Sequence, residues 1–531
     1  MNSGLLCFVL HAHLPFVHHP EYDSFFEENW LFEAITECYL PLLAVLDRLE
    51  RDKVKCRLTV SLSPTLTAML DNALLRQRYL RHLERLIELA DKEVERTRGQ
   101  AEFHALALAY QQGFRTAWDS YRNRYQQDLL AGFLHHFRGG RLELITCAAT
   151  HGLLPLLNVD PVAVRQQVFL GVHAFQSRFG VAPKGFWLPE CGYYPGLEQV
   201  LHEAGVEYFF VDSHGLLAAN PCPGSGVYAP VDCGNGVQAF GRDPDCSRQV
   251  WSAQTGYPGD ANYREYYRDI GFDLPLDYIG PYILDGATRI DTGIKYYAVS
   301  EAGAQKRPYR PDAASRQAQR HAEDFTLKRQ RQAAALQAEM PTAPIMVAPY
   351  DAELFGHWWY EGPQWLEAVL RLAAAEASGI ETVTGGDYLA RYPHAFKAVP
   401  AASTWGDRGY SEYWLNDSNE WIYPLLHKAS ADMAKLVGDL ARLQVNELQQ
   451  RALNQALRSL LLAQASDWPF IMKSGTTEDY ARKRVSDHLA RFNYLHDCLR
   501  KNRIDERYLS ALEIMDDIFP TIDFRDYRSA D

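Results

Sequence analysis

Short apolar runs, most ended by a polar cluster and separated by amphipathic stretches, recur along this chain and leave few folds open to it. They occupy residues 5–10, 57–61, 142–146, 185–188, 208–211, 345–348 and 381–383. Runs this short and continuous suit strands covered on both faces. Helical periodicity at 31–49, 162–179 and 365–377 lies between them. The expectation is therefore α/β, with repeated βα units around a parallel sheet, and a barrel rather than an open sheet.

Two connections are much longer than ordinary βα loops. The first, about 64–138, contains amphipathic sequence such as 74–98 and is expected to be an inserted helical subdomain. The second, 212–344, starts rich in Gly, Pro and aromatic residues and ends in a charged helix near 313–340. Its stretch at about 234–270 is expected to be an active-site loop, since excursions at one end of a barrel commonly build the site. Beyond about residue 400 strand signals cease, and helical patterns fill 425–464 and 476–501. This predicts a catalytic unit at 1–400 and a helical C-terminal domain at 401–531.

Composition narrows the partners. Among 531 residues, Lys and Arg number 54 against 67 Asp and Glu, a formal charge of −13 with no basic cluster. Phosphate binding needs a concentrated positive face, so a nucleic-acid partner is not expected. The nine cysteines are scattered, odd in number and never spaced as CxxC. That pattern predicts reduced thiols and a cytoplasmic location. Residues 5–10 are short, lack a basic flank and run into His11-Ala12-His13, so they are expected to form a core strand and not a signal peptide. No uninterrupted apolar stretch reaches the roughly 20 residues of a membrane span, and no membrane partner is expected. Aromatic residues make up 12% of the chain. They would serve a large core or platforms for sugar rings equally well.

The polar clusters carry the chemistry. His11 and His13, Glu190, Asp212 with His214, and Asp351 with Glu353 each follow directly on an expected strand. In a βα barrel the C-terminal strand ends face one bowl, so these groups should converge. A lone carboxylate there is often only a helix cap, and a histidine pair one residue apart could ligate a metal or donate to sugar hydroxyls. Two acids across a bowl suit glycosidic chemistry, one attacking the anomeric carbon while the other protonates the leaving oxygen. On these grounds Asp351 and Glu353 remain equal candidates for the second acid.

Four ordered segments carry a resemblance. They are His11-Ala12-His13-Leu14-Pro15-Phe16; Gly185-Phe186-Trp187-Leu188-Pro189-Glu190-Cys191; Phe210-Val211-Asp212-Ser213-His214; and Ala348-Pro349-Tyr350-Asp351-Ala352-Glu353-Leu354-Phe355-Gly356-His357-Trp358-Trp359. Together they resemble glycoside hydrolase family 57 and, within it, the glucan-branching subgroup. The resemblance implies a (β/α)7 barrel and a retaining mechanism on an α-glucan, with Glu190 as nucleophile and Asp351 as general acid/base. It implies that His11, His13, His151 and His214 bind the sugar rather than a metal, that Asp212 orients neighbours, and that no cofactor is needed. It further implies that Trp30, Trp405, Trp414 and Asp467 line a glucan groove. A loop tyrosine that excludes water is expected, with Tyr257 as candidate and Phe240 near the equivalent place. A groove tryptophan expected before the acid/base segment is missing, with Tyr278 or Phe272 nearby.

The rival activities on the same carboxylates are a 4-α-glucanotransferase and an α-amylase. From other classes, a metal-dependent polysaccharide deacetylase would use the histidine pair, and a non-catalytic glucan-binding protein would have lost an acid. The carboxylate pair is intact here, and the sequence specifies no oligomeric state.

Overall fold

Ten strands make up the sheet: β1 (Gly4–Ala12), β2 (Leu58–Leu62), β3 (Leu142–Cys147), β4 (Gly185–Trp187), β5 (Tyr208–Val211), β6 (Val231–Asp232), β7 (Gln238–Gly241), β8 (Ile345–Asp351), β9 (Ile380–Thr382) and β10 (Phe396–Lys397). The computed structural model describes residues 4–252, 255–284, 286–300, 305–376, 378–440 and 444–528. β7, β5, β4, β3, β2, β1 and β8 form a parallel row in that order. β1 is buried along its whole length, as are β2, β3, β4, β5 and β7. This is why the runs read as continuous apolar sequence rather than alternation.

The row curls until its ends meet. The Asp243 amide, two residues past β7, donates to the Val347 carbonyl of β8 at 2.8 Å, and Ile345 N–H reaches the Tyr228 carbonyl at 2.9 Å. One strand of the row was not legible in the sequence. Gln238–Gly241, expected to lie within the active-site loop, pairs with β5 from Tyr208 to Val211. Phe240 is accordingly a buried sheet residue and not a loop residue. The last expected strand does form as β9, but it pairs with only the first residues of β1.

Between β2 and β3 run the helices Pro64–Asp71, Ala73–Arg96, Ala101–Asp119 and Leu129–Arg138. Ser63 caps the first of them, accepting from the Leu66 amide, with Pro64 at the first helical position, where a missing N–H costs nothing. Between β7 and β8 lie Pro244–Trp251 and the long helix Pro311–Glu339, and after residue 421 come Ile422–Leu440, Glu447–Ala463, Asp467–Ser474, Glu478–Arg500 and Glu506–Met515. These last helices do not stand apart. Leu457, Leu460 and Phe492 belong to the same apolar core as Leu6 and Phe8 of β1 and Leu83 of the insertion. Each such fully buried side chain is worth about 1.5–3 kcal/mol.

The helical run Glu28–Arg51 is long and apolar enough to cross a membrane by length and composition, but 67% of its most apolar window is buried inside the protein. A π-turn at Ile35–Tyr39 interrupts it and directs Tyr39 toward the site.

Candidate active site

Because the strands of the row are parallel, their C-terminal ends lie at one rim, and the chemistry-bearing residues meet there. His11 lies in register with Ser61 across β1 and β2 and with Asp351 across β1 and β8. Glu190 follows β4 in a left-handed conformation, φ 60° and ψ 24°, with Cys191 and His151 also at positive φ. For residues other than Gly this costs on the order of 1–3 kcal/mol each and persists only where surrounding contacts enforce it.

For Glu190 those contacts are visible. The Trp405 backbone N–H donates to the Glu190 carbonyl at 2.9 Å, and its indole N–H donates to Glu190 Oε2 at 2.9 Å. The Ser466 hydroxyl donates to Glu190 Oε1, also at 2.9 Å. Trp405 is further held edge-on by Trp187 and faced by the Arg242 guanidinium. The expected groove residue thus grips the carboxylate itself.

Burial pushes the Glu190 carboxyl up to about 7, with the charges of Asp467 and Asp351 adding to the rise and Trp405 and Ser466 opposing it. Burial also raises Asp351 to about 6, against the pull of Arg242 and His13. As pH rises, two such groups pass through a singly protonated state before both are charged. Between them the proton belongs on Asp351, because both Glu190 oxygens accept hydrogen bonds that favour the anion, and neutralising Asp351 removes part of what raises Glu190. Glu353, the other candidate acid, is raised by burial to about 7, and its Oε1 accepts from the Tyr39 hydroxyl at 2.5 Å and the His13 backbone at 3.3 Å.

The histidines are committed to the protein. His13 touches Ser63 Oγ through Nδ1 at 2.9 Å and Asp467 through Nε2 at 3.1 Å, and although burial lowers its affinity for a proton, Asp467 together with Glu190 and Glu353 raises it overall. His11 Nδ1 meets Ser61 Oγ at 3.1 Å and its Nε2 meets His151 Nε2 at 2.9 Å, while His151 Nδ1 meets Ser466 Oγ at 2.8 Å. Burial holds His11 and His151 well below the usual imidazole range, so both are neutral. His214 joins Asp212 to the Gly409 carbonyl, tying β5 to the Trp405 segment. Asp212 also accepts from Ser213 and Arg242, and these partners hold its carboxyl at about 2 despite burial.

His13, His151 and Asp467 bring ligand-type atoms within 4.8 Å of one another, as do His11, Cys147 and His151. The imidazole nitrogens of both sets are already engaged in the hydrogen bonds just described, and the Cys147 thiol is buried and held protonated. Half-buried Glu50, exposed His135 and buried His136 form a third such set.

Other expectations need correction or relocation. Tyr257 is buried, its ring stacked on His321 at 4.5 Å and its hydroxyl donating to Asp324 of helix Pro311–Glu339. Its phenol is engaged there, in the packing of that helix, rather than left free for the water-excluding part expected of it. Trp414 is also buried, packed where Gly406 leaves room for its ring. Trp30 is part-buried, edge-on to Tyr480 of the C-terminal helices. Tyr278 donates to Glu93 of the insertion, whereas Phe272 is exposed. Arg242 and Ser466 were not foreseen. Arg242 follows β7, which the sequence does not announce, while Ser466 stands beside the groove candidate Asp467.

Residues 7–396 match the glycosyl hydrolase family 57 profile, and residues 425–527 match the C-terminal region of 1,4-alpha-glucan branching enzymes. The chain belongs to glycosyl hydrolase family 57. A family 57 relative, the 1,4-alpha-glucan branching enzyme of Thermococcus kodakarensis, is 32% identical over 97% of this chain and 77% of its own length. The crystal structure of the GH57-type branching enzyme of Pyrococcus horikoshii superposes with TM-score 0.89 at 32% identity, covering 100% of this chain and 98% of that one. The alpha-amylase AmyC of Thermotoga maritima superposes with TM-score 0.92 at 44% identity over 99% of both chains.

Proposed function

We propose that this family 57 member is a retaining 1,4-α-glucan branching enzyme. The observation that carries the reading is the match of residues 425–527 to the branching-enzyme C-terminal region, together with that region's delivery of Ser466 to the proposed nucleophile. Glu190 attacks the anomeric carbon of an α-1,4 linkage while Asp351 gives its proton to the departing 4-oxygen. The glycosyl-enzyme then passes its chain to the 6-hydroxyl of a second glucan segment, whose proton returns to Asp351. Asp212 and Arg242 orient this centre. Trp30, Trp405 and Asp467 border the groove for an α-glucan such as amylose, amylopectin or glycogen. The hydrogen bond between Asp243 and Val347 supports a closed (β/α)7 barrel under the site. The free cysteines, most of them buried, support a cytoplasmic location, and glycogen biosynthesis is the setting that the branching activity itself would serve.

A specific observation favours α-amylase as the second reading: the 44% identity to AmyC, combined with the packing of Tyr257 away from the proposed site. Product analysis on amylose separates the two. A branching enzyme makes α-1,6 linkages in excess over new reducing ends, whereas an amylase releases reducing ends with no α-1,6 linkages.

A further inference from the structure

Five side chains from five separate segments form an unbroken line of hydrogen bonds ending on the proposed nucleophile. Ser61 (β2), His11 (β1), His151 (after β3) and Ser466 (before helix Asp467–Ser474) stand 3.1, 2.9 and 2.8 Å from one another in turn, and Ser466 stands 2.9 Å from Glu190 Oε1. All but Glu190 are nearly or fully buried.

The hydrogens along this line follow by elimination. An ionised carboxylate only accepts, so the Ser466 hydroxyl points its hydrogen at Glu190. The His151 contact to Ser466 must then be supplied by His151 Nδ1–H. A neutral His151 has no second hydrogen, so the contact between the two Nε2 atoms takes its hydrogen from His11. His11 Nδ1 is then bare and accepts from the Ser61 hydroxyl. Each contact holds one hydrogen and none is left over.

We propose that Ser466, ordered by the His151–His11–Ser61 chain behind it, is a positioning residue that keeps one donor fixed on the nucleophile carboxylate. It does not touch the reacting atoms. Its value lies in pre-orientation, because a free serine hydroxyl has three rotamers and two acceptor lone pairs, and only His151 on one side and Glu190 on the other leave it a single arrangement. The C-terminal helices deliver it in register: Ser466 N–H donates to the His151 carbonyl at 3.0 Å, and Gly152 bridges Ala465. The inference rests on Glu190 being the nucleophile. It gives His11 and His151 work other than sugar binding, since none of their four ring nitrogens is free.

The groups that face Glu190 are Trp405, Asp467, Asp351, His13 and His151, with the protonated thiols of Cys147 and Cys191 behind them. Of these, only Trp405 donates to its oxygens among the described residues, and Ser466 is the second donor. Loss of the Ser466 donor should therefore make Glu190 easier to protonate and slower to attack.

The test is trapping with a 5-fluoro-α-glucosyl fluoride, which loads the enzyme without help from the general acid. The rate is read as labelling of the Glu190 peptide by mass spectrometry across a pH series. Ser466→Ala should slow labelling about 10- to 100-fold, the cost of one lost hydrogen bond to a charged group. It should also move the acid limb upward by about one pH unit, while Ser466→Thr, which keeps the hydroxyl, stays within about threefold of wild type. His151→Asn, tolerable at a positive-φ position, breaks the chain one link back and should give the same shift at smaller size, so it serves if the Ala variant does not fold. An unchanged rate and acid limb in Ser466→Ala, or a Thr variant as slow as the Ala variant, overturns the proposal. Wild-type label on another residue overturns the nucleophile assignment itself.

Discussion

Glu190 sits where function and stability oppose each other. Burial raises both acids of the Glu190–Asp351 pair, so the folded protein holds the pair's protons more tightly than the unfolded chain does. Raised acids contribute stability below their unfolded pKa values of about 4, and that contribution is lost as pH rises through about 6 to 7 and the pair becomes fully charged. Glu190→Gln removes the charge and not the shape. It should abolish turnover by on the order of 10³-fold or more, leave glucan affinity within about threefold, and raise the melting temperature at pH 8 more than at pH 5. Activity assays, glucan titration and paired thermal melts check the three parts. The same burial sets the pH profile of the wild type. Burial raises the two titration steps of the pair to about 6 and about 7, and the singly protonated pair, with its proton on Asp351, dominates between them. kcat/KM should therefore be bell-shaped, falling below about pH 6 as Glu190 gains a second proton for the pair, and above about pH 7 as Asp351 loses its own. A profile rising without a maximum up to pH 9 would remove the acid role of Asp351.

At the scale of elements, the excursion after β7 is held by packing that the sequence did not announce. Tyr257 lies against His321, Trp359 and Trp365 under helix Pro311–Glu339. Tyr257→Ala should destabilise the protein by about 3 kcal/mol, as large-to-small core changes do, while Tyr257→Phe leaves the ratio of α-1,6 linkages to reducing ends unchanged. Chemical denaturation and product analysis measure the two effects. A shift of that ratio toward hydrolysis in Tyr257→Phe would restore its role as a lid. The strands rich in Val, Leu and Phe were legible because burial on both faces leaves continuous apolar runs. β7 was not, since it has four residues, opens on Gln238 and closes on Gly241. Missing it hid Arg242, whose place at a strand end follows only once the strand is known. Glu190, Asp351, His11 and His13 were legible for the opposite reason, each standing directly beyond a run that reads clearly. The partners of the histidines were not, because a pairing such as His13 with Asp467 spans 454 residues and leaves no local pattern.

Across the whole molecule, the helices after residue 421 and the sheet share one apolar core and should unfold together. Thr150 donates to the Leu461 carbonyl at 2.5 Å, Gln167 to Gln464 at 3.0 Å and Tyr527 to Asp160 at 3.1 Å, and the apolar core runs through both parts. A chain ending at residue 421 would expose that core and lose Ser466 and Asp467 together. It should fail to give a soluble, cooperatively melting protein, and a truncated form that melts cooperatively and still cleaves glucan would refute this unity. A double displacement run by Glu190 and Asp351 fixes the stereochemistry of the product. The direct measurement is proton NMR of the first product formed from α-maltosyl fluoride, recorded before mutarotation. Two inversions at the anomeric carbon predict that the newly formed anomer is α, equilibrating to β only afterwards. A β-anomer appearing first would mean a single inversion by water, and would contradict the covalent role given to Glu190.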